Sequence, residues 1–265
     1  LLVAEIPICC VLGDQQSALF GQSCFEEKKK KNTYGTGCFM LFNTGDQIQF
    51  SKNQLLTTLA WNCQNQTQYA LEGSVFMAGA IVQWLRDGLG IIKNSAEVES
   101  LASQVSSTDG VVLVPAFTGL GAPHWDSEAR ALLCGMSRGT NKSHIARAAL
   151  ESIAFQVSDV LTAMQSDIAQ PLKELRVDGG ASQNNTLMQF QADILNVPVL
   201  RPKLLESTAW GAAAMAGLKI GVFNDLSEIS QSWQLERAFE PNMNDDQRQH
   251  HLALWNDALN RTKSH

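Results

Sequence analysis

The order in which apolar runs and glycine turns follow one another constrains this chain most. In the first third, apolar runs of strand length are separated by short polar connectors. The run 6–12 ends at Gly13-Asp14, and the run 38–42 ends at Asn43-Thr44-Gly45. Runs 55–61 and 67–71 flank a polar connector at 62–66, which predicts a hairpin. In the last third, strands alternate with helices. Leu175-Arg176-Val177 runs into Asp178-Gly179-Gly180-Ala181-Ser182, and a helix over 185–195 carries Leu187, Phe190, Ile194 and Leu195 on one face. Val199-Leu200 then precedes a small-residue helix over 209–218, whose Ala212, Ala213, Ala214 and Ala216 allow close approach to a sheet or a ligand. A meander followed by helical crossovers predicts an α/β fold, a mixed sheet flanked by helices.

The middle of the chain fits the same plan. A helix is expected over 74–89, with Phe76, Ile81, Trp84 and Leu85 near one face and Gly90 as its stop. A short buried strand is expected over 111–115, followed by a Gly/Pro loop over 118–126. Asn141-Lys142-Ser143 opens the longest helix, in which Ile145, Ala149, Ile153, Val157, Val160 and Met164 recur at helical spacing. No internal repeat or linker interrupts the 265 residues, so one domain over 1–265 is expected.

Composition narrows the function. At 45% hydrophobic and 17% charged residues, the chain has the apolar content for a sizeable core. Acidic residues outnumber basic ones, 26 to 20, so a net charge of −6 gives no bulk attraction to nucleic acid or to an anionic membrane. No apolar run reaches the length of a membrane span. The start, Leu1-Leu2-Val3-Ala4-Glu5-Ile6, has no initiator Met, basic n-region or cleavage signal, and reads as a chain entered partway. The six cysteines form no C-x-x-C pair and are expected to be reduced. The five histidines lack metal-ligand spacing, and His250-His251 are expected on a solvated helix. The run Glu26-Glu27-Lys28-Lys29-Lys30-Lys31 is expected to be a solvated loop.

Three glycine turns carry the candidate chemistry. Gly13-Asp14-Gln15-Gln16 sets a carboxylate at the expected end of a strand. Asp14 reads either as a general base or as the cap of the next helix, and spacing alone favours the cap. Tyr34-Gly35-Thr36-Gly37 reads equally as a phosphate turn or a hairpin turn. Asp178-Gly179-Gly180-Ala181 follows a strand and opens a helix, where glycine admits a close backbone approach and the helix N-terminus favours phosphate. A P-loop, G-x-x-x-x-G-K-[ST], and a dinucleotide fingerprint, G-x-G-x-x-G, are both absent. Together the three turns point to a nucleotide site of another kind. Trp84 reads as core, and Trp125 as either surface packing or site lining.

Longer segments specify that kind. They are Gly13-Asp14-Gln15-Gln16-Ser17-Ala18-Leu19-Phe20-Gly21-Gln22, Lys31-Asn32-Thr33-Tyr34-Gly35-Thr36-Gly37-Cys38-Phe39-Met40-Leu41, Tyr69-Ala70-Leu71-Glu72-Gly73, Val114-Pro115-Ala116-Phe117-Thr118-Gly119-Leu120-Gly121-Ala122-Pro123 and Arg176-Val177-Asp178-Gly179-Gly180-Ala181. In this order, over about residues 6–255, they resemble the C-terminal lobe of the FGGY carbohydrate-kinase family, and within it the kinases that act on glycerol. The resemblance implies an actin-like ATPase (ribonuclease H-like) fold with ATP bound between two lobes. It implies ATP and Mg²⁺ as cofactors, glycerol as acceptor, sn-glycerol 3-phosphate as product, a cytoplasmic setting and a homo-oligomer as the full-length protein. Asp14 would be the base on the terminal hydroxyl of glycerol. Gln15 would bond a second hydroxyl, and Phe39 would pack on the carbons. Thr36 would contact the phosphates, and Gly79, Gln83, Gly180 and Asn184 would complete the nucleotide pocket. No protein metal ligand is implied in this lobe.

Two stretches depart from the family pattern. Lys28-Lys29-Lys30 stands where small residues are expected, and Cys9-Cys10-Val11-Leu12 is bulkier than the expected small run. The family's first lobe, with its other phosphate loop, lies outside this chain. Gln15 and Phe39 suit a small triol. Another polyol or pentulose kinase of the family is the alternative, and a non-catalytic nucleotide-binding lobe is the alternative outside it.

Overall fold

The meander of the first third builds two hairpins side by side. In the computed structural model, which describes residues 6–27, 29–63, 65–168 and 171–264, α1 (Asp14–Gly21) precedes β1 (Lys30–Tyr34), β2 (Cys38–Gly45), β3 (Leu56–Cys63) and β4 (Gln66–Val75). β1 pairs antiparallel with β2, β2 with β4 and β3 with β4. Next come α2 (Gly79–Asp87), α3 (Glu97–Ala102), a small separate sheet of β5 (Val112–Val114) and β6 (Leu132–Cys134), and the 27-residue α4 (Lys142–Ile168). The last third adds β7 (Leu175–Asp178), α5 (Asn185–Leu195), β8 (Val199–Pro202), α6 (Ser207–Lys219), α7 (Leu226–Ser232), β9 (Leu235–Phe239) and α8 (Asp245–Thr262). β7 joins the meander by lying parallel to β1, and the seven-stranded sheet runs β3-β4-β2-β1-β7-β8-β9. This is the expected mixed sheet. A helical crossover makes β7 and β8 parallel, β7 also runs parallel to β1, and the other pairs are antiparallel.

The two faces of the sheet hold two cores. Alternation along β2 sends Cys38, Met40 and Phe42 to one face, with α4 and α5, and Leu41 to the other, with Leu19 and Phe20 of α1 and Ala214 of α6. On the first face α8 closes the outer layer, where Trp255 stacks on Phe155 with ring centroids 5.1 Å apart. On the second, α1 and α6 cross closely at Gly21 and Gly211. A Cβ on either would collide with the other helix's backbone. The small-residue helix does sit close, but through Gly211; Ala212 and Ala213 face outward.

Three expectations are corrected. Residues 6–12 form no strand and join no sheet edge, and Ile6, Ile8 and Val11 are 62%, 84% and 86% exposed. An apolar run of strand length becomes a strand only where an edge is available to pair with it. Asp14 therefore opens a helix rather than ending a strand. The helix expected over 74–89 begins only at Gly79, because Ser74 and Val75 are held in β4 by pairing with Phe39 and Cys38. Finally, Lys30 and Lys31 are not in a solvated loop. Both are buried in β1, and the Lys30 ammonium lies 4.2 Å from the Phe42 ring centre. Lys28 lies outside the described residues.

Candidate functional site

Two of the three glycine turns converge on one pocket. The hairpin turn after β1 lies against the start of α2: Gly35 O accepts from Gly79 N at 2.9 Å, and Thr36 O accepts from Ala78 N at 2.9 Å and Ala80 N at 3.1 Å. A Cβ on Gly79 would stand 2.6 Å from Gly35 O, so only glycine permits this contact. The turn's carbonyls thus satisfy the first N–H groups of α2 and leave the Thr36 side chain exposed at the rim. The Asp178–Ala181 turn reaches the same place from β7. Gly179 has φ +82° and packs on the backbone of Tyr34, where any Cβ would clash. Gly180, beside it, has nothing within 4 Å of its Cβ direction.

The pocket between them has a volume of about 540 Å³, within the range usual for small-molecule sites. Thr36, Gly79, Gln83, Gly180 and Asn184, the five residues assigned to nucleotide, all line it. Ile153 of α4 and Leu187 of α5 supply apolar wall. Asn184 also caps α5, its Oδ1 accepting from Leu187 N at 2.9 Å. Sequence reasoning missed the far rim, Ser95, Ala96, Val98 and Glu99. Glu99 ties that rim to α5 by accepting from Thr186 N at 3.0 Å. Nothing in 95–99 marks it locally as ligand-facing. It qualifies only because α3 packs beside α4 and α5.

Asp14, Gln15 and Phe39, which the resemblance assigns to the acceptor, form a second group. Asp14 is the first residue of α1, with an exposed carboxylate that accepts from Gln15 N at 2.8 Å. Gln15 reaches inward, and its Oε1 accepts from Lys31 Nζ at 2.6 Å. Lys31 also donates to Thr33 Oγ1 at 2.9 Å and to the Phe39 carbonyl at 3.2 Å. Phe39 is half-buried, opposite Thr33 in the hairpin. It lies three positions from Thr36, so the two Cα atoms are no more than about 11 Å apart. Asp178, on the strand beside β1, is buried and accepts from Gln22 Nε2 at 2.8 Å. Burial pushes its carboxyl above the ordinary range, while Lys31 pulls the other way. Burial likewise raises Glu72 on β4. An exposed carboxylate such as that of Asp14 can take a proton from a hydroxyl held against it.

Trp84 packs on Phe117 at 4.9 Å as part of the core, as expected. Trp125 donates its Nε1–H to Gln54 O at 2.7 Å and does not line the pocket. His250 and His251 lie on α8, where His251 is half-buried with its edge against Phe190. The described residues hold no group of three His, Cys, Asp or Glu able to bind a metal ion.

The profile of the FGGY family of carbohydrate kinases, C-terminal domain, matches residues 31–220. The chain is 80% identical to a glycerol kinase of Acinetobacter baylyi over 264 residues, covering all of this chain and 53% of the relative. It is 56% identical to a glycerol kinase of Deinococcus radiodurans, covering 99% of this chain and 52% of the relative. The chain thus spans about half the length of the curated relatives it matches. Among solved structures, Plasmodium falciparum glycerol kinase with ADP superposes with a TM-score of 0.89 at 41% identity, covering 96% of this chain and 51% of that one. A xylulose kinase of Lactobacillus acidophilus, at 23% identity and a TM-score of 0.81 over 94% of this chain and 49% of that one, shares the fold.

Proposed function

The chain belongs to the FGGY family of carbohydrate kinases, as a C-terminal region with their actin-like ATPase fold, and from that premise we propose that it forms one wall of a glycerol kinase active site. In this reading residues 1–265 are the second lobe of a longer enzyme. Its product is sn-glycerol 3-phosphate. The observation that carries the reading is the convergence of Thr36, Gly79, Gln83, Gly180 and Asn184 on one pocket, with Gln15, next to Asp14, tied through Lys31 to Phe39 of the hairpin that carries Thr36. That a relative 41% identical binds ADP supports assigning the pocket to adenine nucleotide.

The chemistry follows from the residues. A glycerol hydroxyl is a poor nucleophile, so the Asp14 carboxylate takes its proton as the bond to phosphorus forms. Gln15 and Phe39 hold the triol, one by a hydrogen bond and the other by its ring face. Thr36 and the backbone of its turn face the phosphates, where donors stabilise charge on the transferring group. Mg²⁺ would supply further charge neutralisation. Such ions take much of their coordination from phosphate oxygens and water. A cytoplasmic setting and self-association of the full-length enzyme belong to the same proposal. No helix among the described residues is long and apolar enough to cross a membrane.

The test is Asp14→Asn in the full-length enzyme. Loss of a general base should lower kcat by about 10²–10⁴-fold, with ADP affinity by calorimetry within about threefold of wild type. Turnover close to wild type would reject Asp14 as the base.

A further inference from the structure

Lys31 is fully buried, and its ammonium sits where the acceptor-side residues meet. It lies on β1 on the same face as Thr33, pointing toward α1. An ammonium has three donors and no acceptor, and here all three are engaged: on Gln15 Oε1, on Thr33 Oγ1 and on the Phe39 carbonyl. Carboxylates of Asp178 on β7, Glu72 on β4 and Asp14 on α1 lie near enough to act on its charge. Burial nevertheless pushes the group down to about 8, against those carboxylates and the Cys24 thiol. Of the residues this cation binds, two are assigned to glycerol, and neither assignment gives Lys31 a part.

The contact with Gln15 has a chemical consequence. Because a lysine ammonium only donates, the amide oxygen of Gln15 must face it, and the amide nitrogen must face the other way. We propose that Lys31 is a positioning residue that locks the Gln15 amide so that its NH₂ group meets the acceptor hydroxyl, and that ties the first turn of α1, with Asp14, to the hairpin carrying Phe39 and Thr36. The inference rests on the assignment of Gln15 and Phe39 to the acceptor. Lys31 touches no reacting atom and acts through Gln15. A neutral residue in its place frees the amide to turn and releases the base-bearing helix from the strand.

The experiment uses the full-length enzyme, three single variants and the Lys31→Met, Gln15→Ala double variant. Gln15→Glu keeps an oxygen for Lys31 but replaces the outward donor with an acceptor. It should raise the KM for glycerol by about tenfold or more, with ADP affinity and Tm unchanged. Lys31→Met should raise the same KM, and the effect should largely vanish in a Gln15→Ala background, since both changes remove one interaction. A Lys31→Met enzyme with lower Tm but unchanged glycerol KM, or an effect that adds fully to Gln15→Ala, overturns the proposal. If Lys31→Met does not fold, Gln15→Glu decides alone, and a glycerol KM within twofold of wild type overturns it. Gln15→Ala separates the two levels. If it leaves the glycerol KM unchanged, the assignment of Gln15 to the acceptor fails. If it raises the KM while Gln15→Glu and Lys31→Met do not, only the role of Lys31 fails.

Discussion

Gly179 and Gly180 are adjacent and alike in sequence, yet the backbone asks different things of them. Gly179 sits at φ +82° with Tyr34 backbone where a Cβ would go. Gly180 faces the open pocket. Gly179→Ala should destabilise the fold by about 1–3 kcal/mol, read as a lower denaturant midpoint, because it adds both strain and a clash. Gly180→Leu should leave that midpoint nearly unchanged and weaken ADP binding by about tenfold or more in calorimetry, because it fills space a nucleotide needs. The sequence marks both as a turn and separates them no further. A glycine kept for conformation and one kept for room look the same until the neighbour at Tyr34 is placed.

Among the elements, α4 was the most legible, since its apolar spacing runs through nearly all of its length. Its one surprise is Glu151, which is buried and pairs with Arg147 at 2.8 Å. Burial raises its carboxyl to about 7, and Arg147 opposes the shift. The folded state therefore holds a proton that the unfolded chain releases near the ordinary value of 4.5. Stability from this group is full below about pH 4.5 and is lost as pH rises through about 7. The span amounts to about 3 kcal/mol. Glu151→Gln should flatten the stability profile across that window, and urea midpoints at pH 5 and pH 7.5 check it. The β4–α2 junction was less legible. Ser74 and Val75 suit either element locally, and pairing with β2 decides.

At the scale of the whole molecule, the two site groups are joined through the central β1–β2 hairpin, which carries Thr36 and Phe39, and the Asp14 carboxylate is exposed. Relatives are about twice as long as this chain. The 265-residue chain by itself should therefore bind ADP but transfer no phosphate to glycerol, measured by calorimetry and by a coupled ADP-release assay. Turnover by the isolated chain would refute the half-site reading. By itself the sequence determined the α/β class, most elements and the three glycine turns, because periodicity and turn chemistry are properties of neighbouring residues. Tertiary structure alone decided that 6–12 goes unpaired, that Ser95 and Glu99 rim the pocket, and that a lysine at the end of a charge run is buried. Each of these depends on partners distant in the chain: a sheet edge for the first, the packing of α3 on α4 and α5 for the second, and Gln15 and Phe39 around Lys31 for the third. Local patterning carries no information about which distant groups will surround a charge. In Lys31 that surrounding turned an apparent surface cation into the link between α1 and the β1–β2 hairpin.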